Sequence, residues 1–85
     1  MDEHEIARRA SSLPERFTDR VPPKTLRIIS LMDGGGEYGE LVSELTASLA
    51  AHRVPVTAAE RDELVALLEA MKMPTDPIAQ LNVQS

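Results

Sequence analysis

The side chains that could carry out acid–base or nucleophilic chemistry are few in this chain. It has two histidines, His4 and His52, and no cysteine. His52 lies near the end of a predicted helix, where a cationic imidazole stabilises the carbonyl end of the helix dipole. We therefore predict no catalytic residue and a protein that is not an enzyme. Turnover that is lost on substitution of His52 would reverse this prediction.

Carboxylates around a run of three glycines could instead hold a cation, and the glycines could cradle a phosphate. Asp33, Glu37 and Glu40 flank glycines 34–36. Their spacing lacks the alternating ligands and final bidentate glutamate of a calcium loop. No lysine follows the glycines, and the three acids would repel a phosphate at the helix start. Because acids in a first turn stabilise the helix dipole, we predict no metal and no cofactor.

The same carboxylates fit a surface that binds another protein. At about 100° per residue the apolar side chains after Gly36 form one stripe. They are Tyr38, Leu41, Val42, Leu45 and Leu49. Glu37, Glu40 and Glu44 fall within about 60° of one another on a flank of that stripe. Tyr38 either packs in the core or contacts a partner. The predicted partner-binding residues are Asp33, Glu37, Tyr38, Glu40 and Glu44.

The charge of the chain is unevenly distributed. Six basic and five acidic residues in 1–32 give +1, and three basic and nine acidic residues in 33–85 give −6, for a net charge of −5. An acidic field repels nucleic acid and membrane surfaces and attracts basic partners. The alternative is that the charge serves solubility alone. The six basic residues of the first part either form a solvated face or pair with the acidic part.

Eighty-five residues form one domain, and so short a chain leaves little room for a deep active site. The composition favours helices, and we predict an all-α bundle of about four helices, residues 1–85. Short N-terminal helices occupy 1–21, where Asp2 with Glu5, and Ser12 with Glu15, have the spacing of capping boxes. Core helices occupy 22–73, and a tail occupies 74–85.

Within the core region, Pro22 and Pro23 open a helix at residues 24–32 that is apolar on more than one face. We predict that this helix is the central, most enclosed one. Residues 52–57 form an extended connection, and Thr57 with Glu60 forms a capping box at the last long helix. The apolar side chains of the tail are predicted to lie over the open end of the bundle. They are Ile78, Leu81 and Val83.

The N-terminus has no apolar run of the kind found in signal peptides, and no segment reaches the ~20 apolar residues that span a bilayer. We expect a soluble, cytoplasmic protein.

Three short motifs in this order resemble a known family. They are Gly36-Glu37-Tyr38-Gly39, then Val54-Pro55-Val56-Thr57, then Met71-Lys72-Met73. The pattern, over residues 26–73, resembles the Maf-type immunity proteins of bacterial polymorphic-toxin and contact-dependent growth inhibition systems. Ser43 stands where that family has an acid, and the tail lacks a large aromatic residue. The resemblance implies a protein that binds and neutralises a cognate toxin, often a nuclease.

Two functions remain open at this point. In the first, the chain is a monomer that inhibits a basic toxin domain in a one-to-one complex through its acidic helix. In the second, it is a helical docking or adaptor module that joins proteins, either by itself or as a homodimer through the apolar stripes of its two longest helices. A tight dimer in sedimentation would favour the second.

Overall fold

Helices account for 71% of the chain in the computed structural model, which describes residues 1–84. The α-helices are α1 (Glu3–Ser11), α2 (Leu13–Arg16), α3 (Pro23–Gly34), α4 (Tyr38–Ala51) and α5 (Ala58–Ala70). Two 3-10 turns span Thr18–Arg20 and Asp76–Gln80, and two strands are β1 (Pro55–Thr57) and β2 (Asn82–Gln84). Four of the helices have nine or more residues, so the predicted all-α bundle of about four helices is confirmed. None of the described helices has the length and apolar character needed to cross a bilayer.

Helix α4 lies at the centre of the fold. It contacts α1, α3, α5 and the second 3-10 turn. Leu41, Val42, Leu45 and Leu49 are fully buried, which confirms the apolar stripe predicted for this helix. Thr46 is also buried, and its hydroxyl donates to a main-chain carbonyl one turn earlier in the helix. A buried polar group without such a partner would be costly.

The prediction that the helix at 24–32 is the most enclosed one is wrong. Only Ile29 of α3 is fully buried, and Leu31 is 77% exposed. A helix that packs along one side can bury only one stripe, so apolar residues on its other faces stay in solvent. In the packed fold α4, and not α3, lies between the other helices.

The three glycines form the turn between α3 and α4. Helix α3 ends at Gly34, and Gly36 takes a φ of 70°. The Glu37 amide donates to the Met32 carbonyl at 2.8 Å and the Gly36 amide donates to the Asp33 carbonyl at 3.1 Å. These two bonds make a Schellman motif, in which a left-handed residue satisfies the last carbonyls of the helix.

Helices α4 and α5 end in the same motif without glycine. Arg53 and Lys72 occupy the left-handed position with φ of 51° and 58°. The next amide after each, from Val54 and Met73, donates back five residues at 3.0 and 2.9 Å. The left-handed conformation is energetically unfavourable for any residue that carries a side chain. The packing around these two turns must therefore hold them in place.

Two of the three predicted caps form at least in part. Thr57 and Glu60 make both bonds of a capping box at the start of α5. At the start of α1, Asp2 accepts from the Glu5 amide at 2.8 Å. The carboxylate of the N-cap residue Asp2 thus satisfies one of the first-turn amides that lack a helical partner.

The capping box predicted at Ser12 is wrong. Ser12 has helical backbone angles, and its hydroxyl donates to the Arg9 carbonyl at 2.7 Å. Since the chain does not leave the helical region between α1 and α2, the serine side chain caps the end of α1 and not the start of α2.

The tail lies back on the bundle, as predicted, but it does so partly as a strand. Ile78, Leu81 and Val83 pack against the core. Strand β2 pairs in parallel with β1, with Val56 opposite Val83. This pairing was not predicted, because strands of three residues give almost no periodic signal. Val56, the central residue of β1, is buried.

Candidate partner-binding surface

The five residues predicted to bind a partner lie around the turn between α3 and α4. We call this set the acidic surface: Asp33, Glu37, Tyr38, Glu40 and Glu44. Asp33 is in the last turn of α3, and the other four lie between the turn and the second turn of α4. Glu37 and Glu40 are exposed, and the other three are half-buried. The Schellman turn thus places the end of one helix beside the start of the next.

Glu37 and Glu40 bring their carboxyl groups together. A hydrogen bond with the Glu37 side chain raises the pKa of Glu40, and repulsion by the Glu37 charge acts in the same direction. A like charge nearby disfavours the charged form of Glu40, and a nearby cation would favour it. This pair is therefore a point of concentrated negative charge that a basic group would stabilise.

The Glu37 carboxylate lies close to Gly35. A Cβ atom at residue 35 would sit 3.0 Å from Glu37 Oε1. Glu37 thus folds back over the end of α3, into space that a side chain at residue 35 would crowd. Sequence reasoning did not assign this role to Gly35, although the run of three glycines was the available signal.

Gly39 allows another close approach, which was also missed. A Cβ atom there would lie 3.1 Å from the Met73 sulfur. The first turn of α4 is therefore packed closely against the segment that follows α5. Tyr38, beside it, packs against the hydrophobic core. These contacts hold the start of α4, and with it Glu37 and Glu40, on a rigid support.

Asp33 and Glu44 are less available than the exposed pair. The Ser11 hydroxyl donates to Asp33 Oδ1 at 2.6 Å and so joins α1 to α3. Glu44 lies one turn beyond Glu40 on α4 and is half-buried. Further along this outer strip, Ala47 is exposed and uncharged. The negative charge of α4 is therefore concentrated at the N-terminal end of the helix.

The acids of α5 are used differently. Arg20 forms two hydrogen bonds with Glu60, at 2.8 and 2.6 Å, and Arg16 forms two with Glu63, at 3.1 and 2.8 Å. The Arg20 hydrogen bonds lower the pKa of Glu60 from 4.5 to about 2. The basic residues of the first part were predicted either to form a solvated face or to pair with the acidic part. Arg16 and Arg20 pair with the acidic part.

The acidic surface has no such neutralisation. Within residues 1–84, Glu37, Glu40 and Glu44 form no ion pair with a basic side chain. The bidentate pairs neutralise Glu60 and Glu63 of α5, whereas in the described part of the chain the acids of α4 remain free to meet a basic partner. Charge-assisted contacts of this kind are directional and strong when two donors meet one carboxylate.

His52 is placed as a helix-end residue. Its Nδ1 lies 2.9 Å from the Ser48 carbonyl oxygen, one turn back in α4. The same carbonyl also accepts the His52 main-chain amide at 3.1 Å, so a ring N–H at Nδ1 gives it a second donor at the end of the helix. Across residues 1–84, no three His, Asp or Glu side chains are grouped so that they could hold a metal ion.

The fold and this surface define a small helical protein that presents a cluster of carboxylates, unpaired within residues 1–84, at the start of one helix. The chain has no significant match among protein-family models, curated proteins or solved structures. Its function is therefore inferred from its own surface chemistry and from the motifs around residues 36–39, 54–57 and 71–73.

Proposed function

We propose that the chain is an immunity protein that binds a cognate bacterial toxin domain and neutralises it in a one-to-one complex. The observation that supports this proposal most is the exposed Glu37 and Glu40 pair, whose charges crowd each other and meet no basic side chain within residues 1–84. The first of the motifs that resemble the Maf-type family, residues 36–39, contains Glu37 and directly precedes Glu40.

A nuclease is the class of toxin that this surface fits best. An enzyme that cleaves nucleic acid needs a basic groove for the phosphates of its substrate. An acidic helix is attracted to such a groove over long range and can occupy it or lie across its edge. The same charge disfavours binding of the chain itself to nucleic acid or to an anionic membrane.

The rigidity of the acidic surface supports tight binding. The main chain of Glu37 is fixed by the Schellman turn, and Tyr38 packs against the hydrophobic core. A surface that is ordered before binding loses less conformational entropy on association. The proposal requires no catalytic residue, metal or cofactor in this chain, and it places the protein in the cytoplasm, where it would meet the toxin of its own cell.

The first experiment is capture of the tagged chain from its own cells at moderate salt, with mass spectrometry of the bound proteins. We expect one basic domain from a large exported protein, toxic when it is expressed alone and harmless when it is co-expressed with this chain. Recovery of only the chain itself, or of several housekeeping proteins, would favour the adaptor function instead.

Charge reversal locates the interface on the captured domain. Glu40→Lys with Glu44→Lys should raise the dissociation constant by about tenfold to a hundredfold at low salt, because each exposed pair contributes up to ~1 kcal/mol and reversal adds repulsion. The matched control is Asp62→Lys with Glu69→Lys, which makes the same charge change on α5. Calorimetry measures the affinity, and stopped-flow mixing should show that the loss lies mainly in the association rate.

If the control pair weakened binding and the α4 pair did not, the interface would lie on α5. That outcome would remove Glu40 and Glu44 from the proposed interface and leave the inhibitor function in place. Equal, small effects of both pairs would instead direct the search to the tail.

The alternative of a docking module has one specific observation in its favour, which is the exposed Leu31. The apolar stripes of the two longest helices are not available for a dimer, since Leu45 of α4 and Leu67 of α5 are buried within the chain itself. A self-association surface would have to be found elsewhere.

A further inference from the structure

The outer face of α3 exposes a large apolar side chain. Leu31 is 77% exposed, and it lines a shallow pocket with Leu26, Arg27 and Ser30. A single exposed leucine is ordinary on a protein surface. What distinguishes Leu31 is that the charges on its two sides along the helix have opposite signs.

Three kinds of side chain follow one another along this face. On a helical wheel Lys24, Arg27, Leu31 and Gly35 fall within about 80° of one another, and all four are exposed. Gly35 has no side chain, but Glu37 Oε1 lies 3.0 Å from where its Cβ would be. The face is therefore basic, then apolar, then acidic from the N-terminal to the C-terminal end of α3.

This order is complementary to itself in the reversed direction. We infer that the α3 face binds a second copy of this chain, with the two α3 helices antiparallel about a twofold axis at Leu31. Arg27 lies about 6 Å before Leu31 along the helix, and Gly35 lies about 6 Å after it. A twofold axis at Leu31 thus places each Arg27 opposite the Glu37 carboxylate of the other copy, and the two leucines against each other.

Other occupants fit this face less well. A purely acidic helix would meet repulsion from Glu37, and a purely basic helix would meet repulsion from Lys24 and Arg27. A second copy satisfies both ends with the same contact made twice. The position of Gly34 also has open space around it, with nothing within 4 Å of a Cβ placed there, so another helix can approach closely.

The size of the face predicts a reversible dimer. Helix α3 has 12 residues, which corresponds to a length of about 18 Å. One helix pair of this length buries less area than permanent dimers do, and we expect a dissociation constant on the order of 100 µM. Glu37 belongs to both this face and the acidic surface. Dimer formation and toxin binding would therefore compete, a consequence that rests on the proposed function, whereas the pairing itself does not.

Sedimentation equilibrium of the purified chain alone tests the pairing. Up to about 1 mM the average mass should rise from the monomer value of 9.3 kDa toward the dimer. Arg27→Glu and Glu37→Arg should each weaken association at least about tenfold, because each places like charges opposite one another twice. Circular dichroism verifies that both variants are folded. A single species of monomer mass throughout the range would overturn the inference.

Mixing the two variants is the decisive step. In a mixed dimer the two substituted side chains face each other with opposite charges, and the unchanged Glu37 of one copy faces the unchanged Arg27 of the other. Both contacts are then attractive, so association should return to at least the wild-type level. The matched control mixes Arg8→Glu, which changes an exposed arginine on α1, with Glu37→Arg. The net charges of the two mixtures are identical. Equal recovery in both would show attraction by net charge alone and would overturn the antiparallel arrangement.

Discussion

The ion pair between Arg20 and Glu60 should make the stability of this fold depend on pH in a defined window. Glu60 Oε1 accepts from Arg20 Nη1 at 2.8 Å and from the Thr57 amide at 2.9 Å, and Oε2 accepts from Nη2 at 2.6 Å. The guanidinium also lies 4.2 Å from the centre of the Phe17 ring. Glu60→Gln removes the charge and retains an oxygen for the amide of Thr57, so it isolates the ionic part of this cluster.

The size of the effect follows from the two pKa values of Glu60. A fall from 4.5 to about 2 on folding, at ~1.4 kcal/mol for each pKa unit, gives an upper limit of about 3 kcal/mol. Because the Arg20 side chain is 33% exposed, solvent screens the pair, and we expect about 1–2 kcal/mol at pH 7. The folded pKa is the lower one, so this stability is present above pH 4.5 and is lost as the pH falls toward 2.

Urea unfolding followed by circular dichroism, from pH 7 down to about pH 2.5, measures this dependence. The free energy of unfolding of the wild type should exceed that of the Glu60→Gln variant at pH 7. The two free energies, plotted against pH, should converge at the acid end of the range. The control is Asp62→Asn, which removes an acid from the same helix, where the Asp62 side chain is 69% exposed. A Glu60→Gln variant as stable as the control at pH 7, or a deficit that stays constant to the acid end of the range, would refute this reasoning.

Three further predictions concern the helix ends and the core, and each is measured by urea unfolding at pH 7. Gly36→Ala should lower the free energy of unfolding by about 1 kcal/mol, because residue 36 has a φ of 70°. Gly34→Ala, inside α3 and facing open space, should raise it by about 0.5 kcal/mol; effects of the same sign would contradict the assigned turn. Lys72→Gly should raise the free energy of unfolding by about 0.5 kcal/mol, since Lys72 holds a φ of 58°, and a loss of stability would mean that the lysine side chain supports the turn. Leu45→Ala should cost about 2–5 kcal/mol, whereas Leu31→Ala should change stability by less than about 0.5 kcal/mol. Similar losses at both positions would show that α3 and α4 are equally enclosed.

Several features of the fold could be predicted because they depend on neighbours in sequence. The apolar stripe of α4 from Leu41 to Leu49 and the Thr57 capping box are set by residues three or four apart, which meet in any helix. The turn at Gly36 follows from the conformational freedom of glycine. The clustering of Glu37, Glu40 and Glu44 on one flank of α4 was predicted from the same helical spacing, and their role in binding a partner stays a prediction.

What only the tertiary structure decided involves residues that are distant in sequence. Arg20 and Glu60 are 40 residues apart, and Arg16 and Glu63 are 47 apart; the periodicity of a helix carries no information about such pairs. Packing pairs Glu60 and Glu63 of α5 with arginines from the N-terminal part of the chain, and within residues 1–84 it leaves the acids of α4 without an ion pair. The tertiary structure also decided that α4 is the central helix and that β1 pairs in parallel with β2. Each depends on which surfaces remain uncovered once every helix has buried its own stripe.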